Sequence, residues 1–114
     1  MTVDNKNIVI TSAVRTAIGT FRGSLKDMQA KDLGALVVKA AMQKSNLYPN
    51  DVDELIMGQV LTGGTGQNPA RQAAIQAGIP VEKTAYIINQ VCGSGLRSIA
   101  AGYQALVSGD SKIV

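Results

Sequence analysis

Short β-branched runs alternate with helical patterns along this chain, and that alternation constrains the fold more than any other feature. Ile8-Val9-Ile10-Thr11-Ser12-Ala13, Leu55-Ile56-Met57-Gly58-Gln59-Val60-Leu61, Thr84 to Val91 and Lys112-Ile113-Val114 each read as a strand or the opening of one. Between the first two, residues 30–45 place Leu33, Leu36, Val37, Ala40 and Ala41 at helical spacing, and Asn46 is a plausible stop. Asn68-Pro69 then opens an alanine-rich helix to Ala77, with Asn68 as N-cap and Gly78 and Pro80 closing it. A third helix, Gly93 to Ser108, carries Leu96, Ile99, Ala100, Tyr103, Leu106 and Val107 in one stripe and ends at Gly109. The order β-α-β-α-β-α-β predicts an α/β fold: a mostly parallel sheet covered by helices, joined by right-handed crossovers. A chain of 114 residues without linker or repeat is one domain. Aromatics make up 4% of it, so the core must be built from Ile, Val, Leu, Met and Ala.

Charge and cysteine usage exclude several functions. Eleven Lys and Arg against eight Asp and Glu give +3, but the basic residues are dispersed and lack aromatic interleaving, which argues against nucleic-acid binding. One cysteine forms no internal disulfide, and one cysteine without histidine makes a poor metal site. A reducing, cytoplasmic setting is expected. The polar stretch Met1 to Asn7 argues against an export leader, and no apolar run approaches the length of a membrane span.

Two loops invite a binding role. Val14 to Lys26 holds Arg15 and Arg22, which are either anion ligands or solvated cations. Thr62-Gly63-Gly64-Thr65-Gly66-Gln67-Asn68 is glycine-rich, but its spacing fits neither of the common phosphate-binding motifs. A loop beside an active site or a subunit interface is the better expectation. Tyr48-Pro49-Asn50-Asp51 marks a turn.

The stretch that points to chemistry is Asn89-Gln90-Val91-Cys92-Gly93-Ser94-Gly95-Leu96-Arg97. Cys92 stands where the third strand gives way to the third helix. A thiol at a helix start lies near unsatisfied backbone N–H groups and the positive end of the helix dipole, which favour thiolate. Thiolate attacks thioesters well, and the same N–H groups are suited to a developing oxyanion. Gly93 and Gly95 remove side chains that would obstruct an acyl group. The alternative is that Cys92 is a small buried residue with no chemistry.

At this point the chain resembles the thiolases, and within them the bacterial acetyl-CoA acetyltransferases. Arg15-Thr16-Ala17-Ile18-Gly19 with Phe21 and Gly23 looks like the family's N-terminal signature. Met57-Gly58-Gln59-Val60-Leu61 and Gly66-Gln67-Asn68-Pro69-Ala70-Arg71-Gln72 look like the next two, and the stretch around Cys92 looks like the active-site cysteine motif. The resemblance implies that Cys92 carries the acyl group, with its backbone N–H in the oxyanion site. It implies condensation of two acetyl-CoA to acetoacetyl-CoA, or the reverse thiolysis. Coenzyme A thioesters enter as substrates and no cofactor is held permanently. No metal is implied, and the family forms homodimers and homotetramers.

The resemblance covers the first part of the family's N-terminal half. It therefore implies that residues 1–114 are a partial thiolase N-terminal domain, cut at the start of its fourth strand. The family's catalytic His, second Cys, catalytic Asn and most of its coenzyme A surface lie in the other half and map to no residue here. The chain alone is accordingly expected to be inactive. The remaining readings are a non-catalytic dimerisation piece and a redox thiol protein.

Overall fold

The computed structural model describes residues 7–114. The reading of Met1 to Asn7 as no leader therefore falls, Asn7 apart, outside the described residues. Three helices and two paired strands follow one another: α1 (Ala30–Lys44), β1 (Glu54–Gly58), α2 (Pro69–Ala77), β2 (Thr84–Ile88) and α3 (Ser94–Ser108), with a 3-10 turn at Pro49–Asp51. β1 and β2 are parallel, in a register that sets Glu54 opposite Thr84 and Gly58 opposite Ile88. The α/β class and the parallel pairing are as the alternation predicts.

The faces of the sheet follow from its period of two. Leu55, Met57, Ala85 and Ile87 share one face and meet a core of Val38, Met42, Val52, Ala70, Ala74, Ala77 and Ile79 from α1, α2 and their flanks. Gly58 belongs to the opposite face, which α3 covers. Helices thus lie on both sides of the sheet, with α2 as the crossover between β1 and β2.

α2 forms where its caps dictate. The Asn68 carboxamide oxygen accepts the Arg71 N–H at 3.1 Å, Pro69 takes the first turn, and Gly78 closes the helix at φ 89°. Ala70, Ala73 and Ala74 are fully buried, so α2 works as a smooth spacer between α1 and the sheet. Arg71 fixes the loop that follows. Its guanidinium donates to the Lys83 carbonyl at 2.7 Å and to the Val81 carbonyl at 2.6 Å.

The buried face of α1 departs from the apolar stripe read in the sequence. Gly34, Ala35, Val38 and Met42 face inwards, while Leu36 is exposed. The reason is distance. A Cβ on Gly34 would lie 2.9 Å from the Met57 Cε and 3.2 Å from the Ala73 Cβ, so α1 approaches through its small residues. The same is true of α3. Its buried residues are Ser94 and Gly102, whereas Leu96, Ile99 and Tyr103 stay exposed among the described residues.

Two of the four expected strands do not form. Ile8 to Ala13 has strand composition but pairs with neither β1 nor β2. It runs beside α1 instead. The Ser12 hydroxyl donates to the Ala41 carbonyl at 3.0 Å, and Lys44 Nζ reaches the Ala13 carbonyl at 3.2 Å. Val9 and Ile10 remain exposed. Lys112 to Val114 lies alongside the residue preceding β1 without joining the ladder. The Asp53 N–H donates to the Ile113 carbonyl at 2.9 Å, and one Asp53 carboxylate oxygen accepts the N–H groups of Lys112 and Ile113.

Asp53 is the tie between these ends. Besides the two N–H groups it holds Lys83 Nζ at 3.2 Å, joining the approach to β1, the approach to β2 and the C-terminal segment. The Lys112 backbone N–H above all, and then Lys83, hold its carboxyl below the usual carboxylate value. Folding therefore favours the ionised form. The stabilisation is present above the unfolded carboxylate pKa near 3.9 and is lost as pH falls through the lowered folded value. Asp53→Asn is expected to melt below the unaltered chain at pH 7, with the gap closing on acidification. Melting temperatures across pH 2–7 check this; a gap independent of pH would refute it.

Candidate active site

The sheet delivers Cys92 to a turn at the carboxyl end of β2. The strand pairing closes at Gly58 and Ile88, one further bond running from the Gln59 N–H to the Ile88 carbonyl at 3.1 Å. The chains then separate. β2 leads into Asn89, Gln90, Val91 and Cys92, and α3 begins at Ser94 with Gly93 as its N-cap. Cys92 is exposed and unpaired among the described residues.

The turn is held in a conformation its sequence resists. Val91 has φ 49°, in the left-handed region. A residue branched at Cβ is a genuine outlier there, at a cost of order 1–3 kcal/mol. The strain persists because the surrounding groups over-determine it. The Val91 N–H donates to the Asn89 side-chain oxygen at 3.0 Å, and the Asn89 amide donates to the Val60 carbonyl at 3.1 Å. On the other side the Ser94 hydroxyl donates to the Val91 carbonyl at 2.6 Å and accepts the Gln90 N–H at 2.9 Å. Ser94 is buried at 4% exposure.

Two of the backbone donors expected to face a reacting oxygen are already engaged. The Gly93 N–H donates to the Gln90 carbonyl at 3.0 Å and the Ser94 N–H to the Val91 carbonyl at 3.1 Å. They close the turn and are not aimed outwards. Gly95 does leave room: a Cβ there would meet nothing within 4 Å. Gly93 is tighter, its Cβ position lying 3.4 Å from Gln90 atoms.

Gly58 and Ser94, 36 positions apart in sequence, bring β1 against the start of α3. A Cβ on Gly58 would sit 2.5 Å from the Ser94 carbonyl carbon and 2.6 Å from the Gly95 nitrogen. Sequence reading treats Gly58 as one more strand residue. The signal in the sequence is a glycine inside an apolar run, where close approach of backbone to backbone is a usual reason for one.

The glycine-rich loop adjoins this turn through Val60, whose carbonyl Asn89 holds. Its own contacts are made by carbonyls. Gln72 Nε2 donates to Thr65 and Gln67 oxygens at 2.9 and 2.8 Å, and the Thr65 hydroxyl bonds back to Thr62. A phosphate cradle needs converging N–H groups, and this loop is organised the other way round. Of the two arginines, Arg22 lies 5.6 Å over the exposed Phe21 ring. Arg15, with Lys31, Gly34, Met57 and Gln59, borders a groove of about 370 Å³ between the N-terminal segment, α1 and β1. A second groove, about 470 Å³, lies between Met42, Tyr48 and Ala77. Neither includes Cys92 in its lining. Among the described residues there is no group of three potential metal ligands.

Comparison with known proteins places this geometry. The family described as thiolase, N-terminal domain, matches residues 8–114. An acetyl-CoA acetyltransferase of Rhizobium meliloti is 51% identical over 112 residues, covering 98% of this chain and 28% of that protein. One from Cupriavidus necator is 54% identical over 108 residues, covering 95% and 28%, and one from Pseudomonas aeruginosa is 50% identical over 109, covering 96% and 28%. The chain spans about 28% of the length of these curated relatives.

Proposed function

The chain belongs to the thiolase family, and we propose that it is the nucleophile-bearing part of an acetyl-CoA acetyltransferase whose acyl carrier is Cys92. The observation that carries this reading is an exposed thiol on a strained, over-determined turn between β2 and α3. In the first step the Cys92 sulfur attacks the thioester carbonyl of acetyl-CoA. The carbon–sulfur bond to coenzyme A breaks, coenzyme A leaves as a thiolate that takes up a proton, and the acetyl group remains on Cys92. A second acetyl-CoA, deprotonated at its methyl carbon, then attacks the acyl-cysteine. Acetoacetyl-CoA forms and the cysteine is released; thiolysis runs the same steps backwards. The Cys92 backbone N–H is the donor we assign to the oxyanion, since those of Gly93 and Ser94 are spent within the turn.

Turnover needs more than these residues supply. The chain contains no histidine, so no imidazole is available to take the thiol proton. The residues of the whole protein that bind coenzyme A and handle the methyl proton are assigned to parts outside this partial N-terminal domain. The exposed stripe of Leu96, Ile99 and Tyr103 on α3 supports a domain that works inside a larger assembly, a homodimer or homotetramer of the whole protein.

The test is acyl trapping. Incubated with acetyl-CoA, the chain is expected to gain one acetyl group, located on Cys92 by peptide mass spectrometry, without forming acetoacetyl-CoA catalytically. Acetylation confined to lysines, with Cys92 left unacylated, would refute the reading.

A further inference from the structure

We infer that Ser94 and Asn89 are positioning residues that hold Val91 in its left-handed conformation and thereby aim the Cys92 sulfur at a thioester; this rests on the acyl-carrier reading above. The two side chains grip the same peptide segment from opposite sides. Asn89 receives the Val91 N–H and is anchored to Val60 at the exit of β1. Ser94 receives the Gln90 N–H and donates to the Val91 carbonyl. Together they engage the N–H before Val91, its own N–H and its own carbonyl.

Such a clasp is needed because the segment would not stay there by itself. A valine at φ 49° relaxes towards the extended region unless its neighbours prevent it. Relaxation would swing the next residue, Cys92, away from the helix start. Ser94 suits the task because its hydroxyl is buried and both of its hydrogen-bonding roles are taken within the turn. Asn89 suits it because a side-chain amide offers a donor and an acceptor at once. Ser94 is 4% exposed, and the backbone of β1 at Gly58 lies close against its carbonyl group.

Positioning separates from stability by comparing two reactions at one thiol. Acylation by acetyl-CoA depends on where the sulfur lies relative to the helix start. Alkylation by iodoacetamide depends on exposure and ionisation alone. A misplacement of about 1 Å costs about 100-fold in a reaction that needs aligned groups. The ratio of acylation to alkylation rate is therefore expected to fall roughly tenfold or more in Ser94→Ala. Asn89→Ala, at an exposed position, should lower the same ratio. Adding Val91→Gly to Ser94→Ala should restore much of it, because glycine adopts positive φ without strain.

The outcomes are distinct. An unaltered chain that is not acylated at Cys92 sinks the acyl-carrier reading and this inference with it. An unaltered chain that is acylated, with the ratio unchanged in both Ser94→Ala and Asn89→Ala, overturns the positioning role alone. A fall in melting temperature with parallel changes in both rates also overturns it, since that is the signature of a merely structural serine.

Discussion

Gly58→Ala is expected to lower the melting temperature by about 4–20 °C and to displace the turn that carries Cys92. The added methyl would fall 2.5–2.7 Å from the Ser94 carbonyl carbon, the Gly95 nitrogen and the Ser94 carbonyl oxygen. All three are backbone atoms, so no side-chain rotation relieves the clash. Either β1 or the first turn of α3 must move by several tenths of an ångström. Overpacking of this kind costs about 1–3 kcal/mol, and each kcal/mol shifts the midpoint of a domain slightly above 100 residues by about 4–7 °C. The displacement also loads onto Ser94, which holds Gln90 and Val91. A loss of Cys92 acylation beyond the loss of stability should therefore accompany it. Gly63→Ala is the control, because a Cβ there meets nothing within 4 Å. Melting curves and acylation rates of the two variants decide the matter; a Gly58→Ala chain that melts with the unaltered one would show that β1 and α3 are not in close contact.

That contact explains why part of the site is illegible in the sequence. Local rules place what is local. Asn68 and Pro69 announce the start of α2, Gly78 its end, and the apolar run before Cys92 the approach of β2. The position of the thiol at a strand-to-helix junction follows from the same patterns. What they omit depends on residues distant in the chain. Ser94 reads as a spacer between two glycines, and only the fold reveals a buried hydroxyl bridging Gln90 and Val91. Val91 reads as the last strand residue, whereas the ladder closes at Ile88, where β1 also ends, and Val91 turns left-handed three residues later. Arg71 reads as one letter of a motif and proves to clamp two carbonyls ten and twelve residues on.

Periodicity likewise identified α1 and α3 as helices without fixing which side each buries. Hydrophobic stripes predict burial only when the partner surface has room for large side chains. α1 meets a wall of alanines on α2 and the Met57 side chain, so it turns Gly34 and Ala35 inwards. Ile8 to Ala13 shows the matching limit for strands. Its composition is that of a buried strand, but a strand is defined by an edge to pair with, and here the segment binds the last turns of α1 through Ser12 and Lys44.

Cys92→Ser is expected to abolish acyl capture while leaving the fold intact. The side chain is exposed, so exchanging sulfur for oxygen should change stability by no more than about 0.5 kcal/mol. Its effect on chemistry is of another order. Where a nucleophile and its base act as a unit, loss of either costs on the order of 10⁶ in kcat. This chain has no histidine and so already lacks that unit. What the substitution removes is the acyl acceptor itself. A hydroxyl without a base is a poor nucleophile near neutral pH, whereas an ordinary thiol is a few per cent thiolate and intrinsically reactive. Because Cys92 is the sole cysteine, the measurement has no thiol background. Acetyl-CoA should label the unaltered chain at one site and the Cys92→Ser chain at none, with superimposable melting curves. Equal labelling of the two would move the acyl acceptor to another residue. Loss of labelling together with loss of fold would instead make Cys92 a structural residue of the turn, and Cys92→Ala, which removes the hydroxyl as well, separates that from a serine misplaced within an intact turn.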